Sequence, residues 1–437
     1  MTSNIYYLHK PPLEIAHFIR IGSREHRLAE RLLSAGKLRA QRYVIEAGNF
    51  PRQHDLIQTL RDEHAEIILD TKAAELSVPN QISSTAKYAP WASDGRPLEP
   101  DDFDPKSNRS VIQLMAHHAI ENHVNAVMAP THLLIGDEFT KWLETDFRSC
   151  IALRESLDKF GGSHISIDYP LIISYAQLRD ATVRLRLIEQ LRSLPYNYLW
   201  LRISGFGTDA TGTGIEKYIR ATLDFHSLDK PVIADHLSGL AALAASSFGA
   251  TSGFAHGLNS KERFDGASWI KPPINATSTT GRDNSKMIYF SDLDRRLKVK
   301  DANKLFNDAK TAREIFGCAD HSCCGSIEFM LNNPEAHYIV QRQQQIKDLT
   351  QAPETLRANR FLTEHLEVSY RRTLRATKLK KCDDEIKKKI IYASERLEHI
   401  RASLSNLYES IDQPRYAAEA KPRSKEKIVN DHTVRKP

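Results

Sequence analysis

The apolar positions of this chain fall into short runs that alternate with amphipathic stretches. Pro231–Gly257, PVIADHLSGLAALAASSFGATSGFAHG, shows the repeating unit most clearly. Val232-Ile233-Ala234 is long enough for a buried strand and too short for a helix. Ser238-Gly239 can cap a helix, the Ala/Leu run 240–247 has high helix propensity, and Gly249 stops it. A second apolar strand follows, broken by Gly253 and closed by Gly257. Strand, helix and strand at this spacing imply parallel pairing through a right-handed crossover.

The alternation continues along the chain. Further strands are predicted at Ala16–Ile21, Arg42–Gly48, Glu66–Asp70, Ala126–Ala129, Ile165–Asp168, Tyr198–Ile203 and Lys286–Phe290. Helical patterns lie between them, among them Asn108–Asn122, Phe139–Phe160, Ala181–Ser193 and Gly214–Phe225. About eight such units between residues 40 and 290 predict a (β/α)8 TIM-type barrel, with an open doubly wound sheet as the alternative. No Walker A motif occurs, and Gly205-Phe206-Gly207 lacks the third glycine of a dinucleotide fingerprint. Residues 78–105 have no periodicity, as expected of a functional or disordered loop.

Past residue 300 the chain becomes polar and helical, and Pro334–Tyr408 reads as two or three amphipathic helices. The predicted organisation is a lead-in over 1–40, a barrel over 41–295, a zinc-cluster and basic helical module over 296–411, and a disordered basic tail over 412–437.

Composition narrows the class. With 437 residues and 41% hydrophobic residues the chain can bury a full core. It has no apolar run of membrane-spanning length, and MTSNIYYLHKPPLE lacks the pattern of a secretory signal. Three of the five cysteines fall between 318 and 324, which does not resemble a secreted disulfide framework. The expectation is a soluble, cytoplasmic protein without a membrane partner; a homodimer stays open. The net charge of +6 is mild, so its location matters more than its size.

Five sets of residues can carry chemistry. Cys318, Cys323 and Cys324, with His337 downstream, offer three thiols and an imidazole, the donor set of a structural tetrahedral zinc. Buried free thiols are the alternative. Glu46, Asp70, Asp168 and Asp235 sit at predicted strand ends, where a barrel gathers side chains in one mouth. Carboxylates in different environments can divide the roles of nucleophile and acid; singly, each reads as a helix cap or loop ion pair. His132, His236 and His256 lie at the same ends, without a compact metal motif. The turns at Asp235, Gly253, His256 and Gly257 could offer backbone N–H groups to phosphate. Finally, Arg371, Arg372, Arg375, Lys378, Lys380 and Lys381 crowd a predicted helix beside Tyr370, as on a nucleic-acid-binding face or an ordinary solvated one.

The order of these pieces resembles the tRNA-guanine transglycosylase family over roughly residues 66–350. The resemblance rests on ILDTKAAELS around Asp70, on GRPLEPDDFDPKSNRSVIQLMAHHAIENHVNAVMAPTH, on YAQLRDATVRLRLIEQL followed by LWLRISGFG, and on LDRRLKVKDANKLF before the cysteines. Members are (β/α)8 barrels that exchange a guanine in nucleic acid for a 7-deazaguanine, with a zinc subdomain after the last strands. The resemblance implies zinc, a tRNA or DNA partner, and Asp70 as acid/base or base contact. Two family positions differ. The base-binding aspartate is replaced by Pro130-Thr131-His132, and the strand of GATSGFAHG carries no nucleophilic carboxylate. The zinc spacing differs too. Asp235 or Asp265 could substitute for the nucleophile.

The resulting expectation is a transglycosylase-like enzyme with Asp70 as acid/base, Asp235 as nucleophile or charge stabiliser and Asp168 on the base. Glu46, His132, His236, Gly253, His256 and Gly257 would complete the substrate site. The alternatives are a nucleic-acid-binding barrel without chemistry, and a barrel enzyme for a small phosphorylated substrate.

Overall fold

A computed structural model describes residues 12–78, 86–93, 95–258, 261–270, 285–318 and 320–423. Eight parallel strands form the barrel: β1 (Ala16–Ile21), β2 (Arg42–Glu46), β3 (Glu66–Asp70), β4 (Ala126–Met128), β5 (Ser166–Ser174), β6 (Tyr198–Ser204), β7 (Val232–Asp235) and β8 (Gly253–Gly257). Their order is β5-β4-β3-β2-β1-β8-β7-β6, and pairing of β5 with β6 closes the ring. All eight fall on apolar runs predicted as strands, Ala16–Ile21 among them.

Which run fills the last place in the ring differs. Lys286–Phe290 was expected to be the last barrel strand, but Met287–Phe290 (β9) pairs antiparallel with Arg295–Lys298 (β10) in a separate hairpin. The place in the ring belongs to Ala16–Ile21, inside the segment expected to be a lead-in. Its six residues are all buried, and it runs in register with β8 from Ala16 opposite Gly253 to Arg20 opposite Gly257. Gly253 is required by this pairing, because a Cβ there would lie 2.0 Å from the Ala16 carbonyl oxygen.

The chain divides into two compact units. One comprises Met1–Ala40, Leu171–Ser193 and Tyr198–Ala420; the other comprises Gln41–Pro170, Leu194–Asn197 and Lys421–Pro437. In the first, the hairpin and the following helices share a core of Ile288, Phe290, Leu297, Leu305, Phe306, Ile315, Met330 and Ile390, with Cys318 and Cys324 packed against it. The boundary expected at 295 therefore falls inside a hairpin that belongs to this core.

The first part of the expected disordered tail is ordered. Ala417 N–H donates to Gly249 O at 2.8 Å, Ser252 Oγ to Ala418 O at 2.6 Å, and Ala420 is buried. Residues 424–437 lie outside the described residues. Among the described residues no helix is long and apolar enough to cross a membrane.

Candidate functional site

Register places two carboxylates side by side. In the pairing of β2 with β3, Glu46 lies opposite Asp70, both at strand C-terminal ends and both buried. Neighbouring strands are about 4.8 Å apart, so these side chains leave the sheet as adjacent groups. Beside Glu46 the chain places a cation. Lys72 Nζ is 3.6 Å from Glu46 Oε1 and also pairs with Glu75. Burial works against the Lys72 charge, but Glu46, Glu75 and Asp70 outweigh it and raise its pKa, so it stays an ammonium. Asn49 donates to Glu46 Oε2 at 3.2 Å.

The backbone at this point is unusual. Lys72 has φ +57°, a left-handed conformation uncommon for a residue with a side chain, and its N–H donates to Asp70 Oδ1 at 3.0 Å. The end of β7 repeats the device. His236 has φ +56°, and its N–H donates to Asp235 Oδ1 at 3.0 Å. In both turns a residue just past the strand, the second in one and the first in the other, folds back to hold the carboxylate, a kind of local strain that clusters at functional sites.

Asp235 is committed to arginines. Arg20 donates from Nε to Oδ1 at 2.6 Å and from a terminal nitrogen to Oδ2 at 2.8 Å; Arg202 Nε donates to Oδ2 at 2.8 Å. All three residues are buried, and Trp200 packs beside them, its ring 5.7 Å from the Arg20 guanidinium. Burial alone would raise the Asp235 pKa, but the Arg20 and Arg202 charges prevail and hold it well below the ordinary range. A carboxylate with both oxygens bonded to guanidiniums is a poor nucleophile and a good anchor. Burial pushes His236 well below the usual histidine pKa.

Asp168 is also paired. It lies opposite Met128, and its carboxylate accepts from Arg423, which reaches Glu66 Oε1 at 3.0 Å as well. The base-contact role expected of Asp168 meets a carboxylate already occupied by the C-terminal segment.

The histidines separate by environment. His132 Nδ1 is 2.5 Å from Asp146 Oδ1, its ring stacks on Trp142 at 3.9 Å, and Phe103 meets it edge-on at 4.6 Å. Its Nε2 is buried without a hydrogen-bond partner among the described residues. His256 is fully buried. Its Nε2 is 2.9 Å from His17 Nε2, its Nδ1 is 2.7 Å from Gly257 O, and Tyr338 Oη lies 3.1 Å away. Burial lowers its pKa to about 3. The expected substrate contact at His256 is thus a neutral imidazole packed against Tyr338.

The turn after Asp235 does not leave a bare helix end for phosphate, and the turn after Gly257 runs into residues 259–260, outside the described residues. The helix Gly239–Ser247 after Asp235 gives its Leu240 N–H to Asp294 Oδ1 at 3.2 Å. Asp294 also accepts from Tyr289 Oη at 2.6 Å and from Arg396 at 3.1 Å. Sequence reasoning missed Asp294, because SDLD after an apolar run reads as an ordinary turn. It missed Arg20 and Arg202 because nothing local announces a partner on another strand, although Arg202 lies opposite Asp235 in the register of neighbouring strands.

The cysteine cluster assembles as expected. The ligand atoms of Cys318, Cys323, Cys324 and His337 all lie within 4.8 Å of one another, so the set could hold a metal ion. The Cys323 and Cys324 sulfurs are 3.5 Å apart, and His337 Nδ1 is 3.5 Å from the first and 3.3 Å from the second. Adjacent cysteines converge because the loop turns on Asp320, whose carbonyl accepts N–H groups from Cys323, Cys324 and Gly325. Gly325 takes φ +73°, which a glycine adopts without penalty. Hydrogen bonds from the Cys323 and Cys324 thiols hold the Cys318 thiol well below its ordinary pKa, so the cluster favours a thiolate.

The basic run is not one helical face. The helix Glu367–Ala376 ends before Lys378, because the chain turns to bring Leu379 into the core with Ala376 and Ile386. Arg371 is spent on Glu367 at 2.6 Å and Arg372 on Asp292 at 3.0 Å. Arg375, Lys378, Lys380 and Lys381 are exposed, three of them beyond the helix.

No family model matches the sequence, and no curated protein matches it. Among solved structures the chain is similar to a thermostable mutant of a xylanase (Xyn10A) from Cellvibrio japonicus. They share 10% identity over 52% of this chain and 70% of the other, with a TM-score of 0.33. It is likewise similar to a mutant of xylanase A of P fluorescens subsp. cellulosa in complex with xylopentaose, at 12% identity over 52% and 69% of the two chains and a TM-score of 0.33.

Proposed function

We propose that this protein is a barrel enzyme that exchanges a nucleobase in RNA or DNA through a covalent sugar–enzyme intermediate. The observation that carries the reading is the register of Glu46 with Asp70 at adjacent strand ends, with the Lys72 ammonium beside Glu46. Base exchange with retained configuration needs two carboxyl groups about 5 Å apart, one to bond the anomeric carbon and one to move a proton. Neighbouring strands supply that separation.

In this reading Asp70, as the acid, gives its proton to the departing base. Glu46 forms a bond to the anomeric carbon as the bond from that carbon to the base breaks. The incoming base then attacks the same carbon, the bond to Glu46 breaks, and Asp70 takes the proton released from the incoming base. Lys72 steadies the negative charge that Glu46 regains. Asp235, fixed by Arg20 and Arg202, shapes the barrel wall and does not attack. The target nucleotide must leave its stack to reach such a pocket.

The cysteine cluster supports the same reading. A tetrahedral zinc with Zn–S bonds near 2.3 Å sets its ligand atoms about 3.5–3.8 Å apart, close to the separations around Cys323, Cys324 and His337. Such an ion would be structural and would brace the module beside the barrel.

The test is exchange of labelled guanine, or of a 7-deazaguanine, with a base in single-stranded and duplex RNA and DNA. The reading expects incorporation by the wild type and loss in Glu46→Gln and Asp70→Asn. Incorporation unaffected by both substitutions, or none with any polynucleotide, overturns it.

A further inference from the structure

Beside the hairpin lies a cavity of about 340 Å³, lined among others by Glu262, Asp294, Arg295, Arg296, Tyr392 and Arg396. Its three acids, Asp209, Glu262 and Asp294, are already engaged, Asp209 by Arg263. Asp294 is taken by Tyr289, Leu240 and Arg396. Glu262 accepts from Arg296 at 2.5 Å and from Tyr338 Oη at 2.6 Å.

The cations are not all matched. Among the described residues Arg295 has no carboxylate partner; its guanidinium stands 4.5 Å from the centroid of the Tyr392 ring. Tyr392 is 52% exposed. Close by, Arg342 is fully buried, 3.7 Å from Asp294, and its Nε and one terminal nitrogen lack a hydrogen-bond acceptor among the described residues. The Arg342 guanidinium lies 4.3 Å from the Tyr289 ring, and Tyr289 itself lines the cavity. Three arginines and three carboxylates line the cavity, but each carboxylate already has a cationic partner, Asp209 with Arg263, Glu262 with Arg296 and Asp294 with Arg396, so that Arg295 is left over among the described residues and the buried Arg342 is only partly matched. The unsatisfied charge is positive, and an anion is the ligand that completes it.

We propose that this cavity receives a phosphate of a polynucleotide strand, with Arg295 on the phosphate oxygens and the Tyr392 ring stacked against an adjoining base. A guanidinium presents paired N–H donors that match phosphate geometry. An exposed ring next to a basic groove is the usual platform for single-stranded bases. The volume exceeds what a bare phosphate needs and suits a ligand of nucleotide size. The inference rests on the preceding reading that the substrate is a base within a polynucleotide, and it adds a strand contact away from the reacting carboxylates.

The test is fluorescence anisotropy of the full chain with a labelled single-stranded oligonucleotide, titrated at several salt concentrations, with inorganic phosphate and a mononucleotide as competitors. Among the described residues Arg295 makes no ion pair, so Arg295→Ala should keep the wild-type melting temperature. It is expected to weaken binding about fivefold or more and to reduce the slope of log affinity against log salt by about 0.7. Tyr392→Ala is expected to weaken binding at an unchanged slope. Unaltered affinity and slope in Arg295→Ala, with base exchange still present in the wild type, overturn this inference alone. Competition by inorganic phosphate at the same concentration as the mononucleotide assigns the cavity to small phosphates and overturns the strand contact. A wild type that binds no oligonucleotide overturns the function proposed above as well.

Discussion

Asp294 closes the start of the helix that follows Asp235: its Oδ1 accepts the Leu240 N–H at 3.2 Å. The same carboxylate holds Tyr289 and Arg396 and lies 3.7 Å from the buried Arg342. One side chain from the hairpin turn thus ties a barrel helix to two helices of the C-terminal module.

Its removal should cost more than a helix cap. Asp294→Ala leaves two arginines without their shared partner, one of them fully buried, and should destabilise the protein by about 3–5 kcal/mol. Asp294→Asn keeps an acceptor for Leu240 and should lose less. Urea unfolding of both variants measures this. Equal, small losses would mean that the carboxylate is not the tie.

The cysteine–histidine cluster gives a second prediction. The purified protein should carry one zinc per chain by elemental analysis. Cys323→Ser and His337→Ala should reduce it to traces and lower stability by at least about 3 kcal/mol, part of what structural zinc supplies. Wild-type protein of normal stability after complete chelation would remove the metal from this account.

Stability should fall on mild acidification. Burial, the dominant cause, sets His256 at about 3 in the fold, against about 6.5 in an unfolded chain. Between these values the unfolded chain binds the extra proton. The contribution is therefore intact above about 6.5 and is lost as pH falls toward 3, at up to about 1.4 kcal/mol per pH unit. Chemical denaturation from pH 7 to 4 should show the slope, and His256→Gln should flatten it. An equally steep slope in the variant would assign the proton elsewhere.

Asp235 should prove structural. Asp235→Asn leaves Arg20 and Arg202 facing a neutral amide in a buried site, so a loss of about 3–5 kcal/mol is expected. The protein that remains folded should retain base exchange within about tenfold. A folded variant with a 10³-fold loss of exchange would return Asp235 to the reaction itself.

Much of the ring was legible in the sequence, because short apolar runs alternating with helical stretches leave a period that needs no distant information. Ring closure did not show. Ala16–Ile21 and Lys286–Phe290 are apolar runs of similar length, and only the partner decides which joins β8. The same limit governs the site. Cys318, Cys323, Cys324 and His337 could be grouped because their chemistry is rare and their spacing short. Arg20, 215 positions from Asp235, could not. Asp70 was singled out for its place at a strand end, whereas its pairing with Glu46 is a property of register, which no single strand encodes.

The most direct measurement is the search for the covalent intermediate. Wild-type protein incubated with labelled polynucleotide and a competing base should yield a labelled protein band on a denaturing gel, mapped by mass spectrometry to Glu46. Asp70→Asn should accumulate or slow it, and Glu46→Gln should not form it. A wild type that exchanges bases yet forms no adduct, or an adduct that survives Glu46→Gln, would contradict the account.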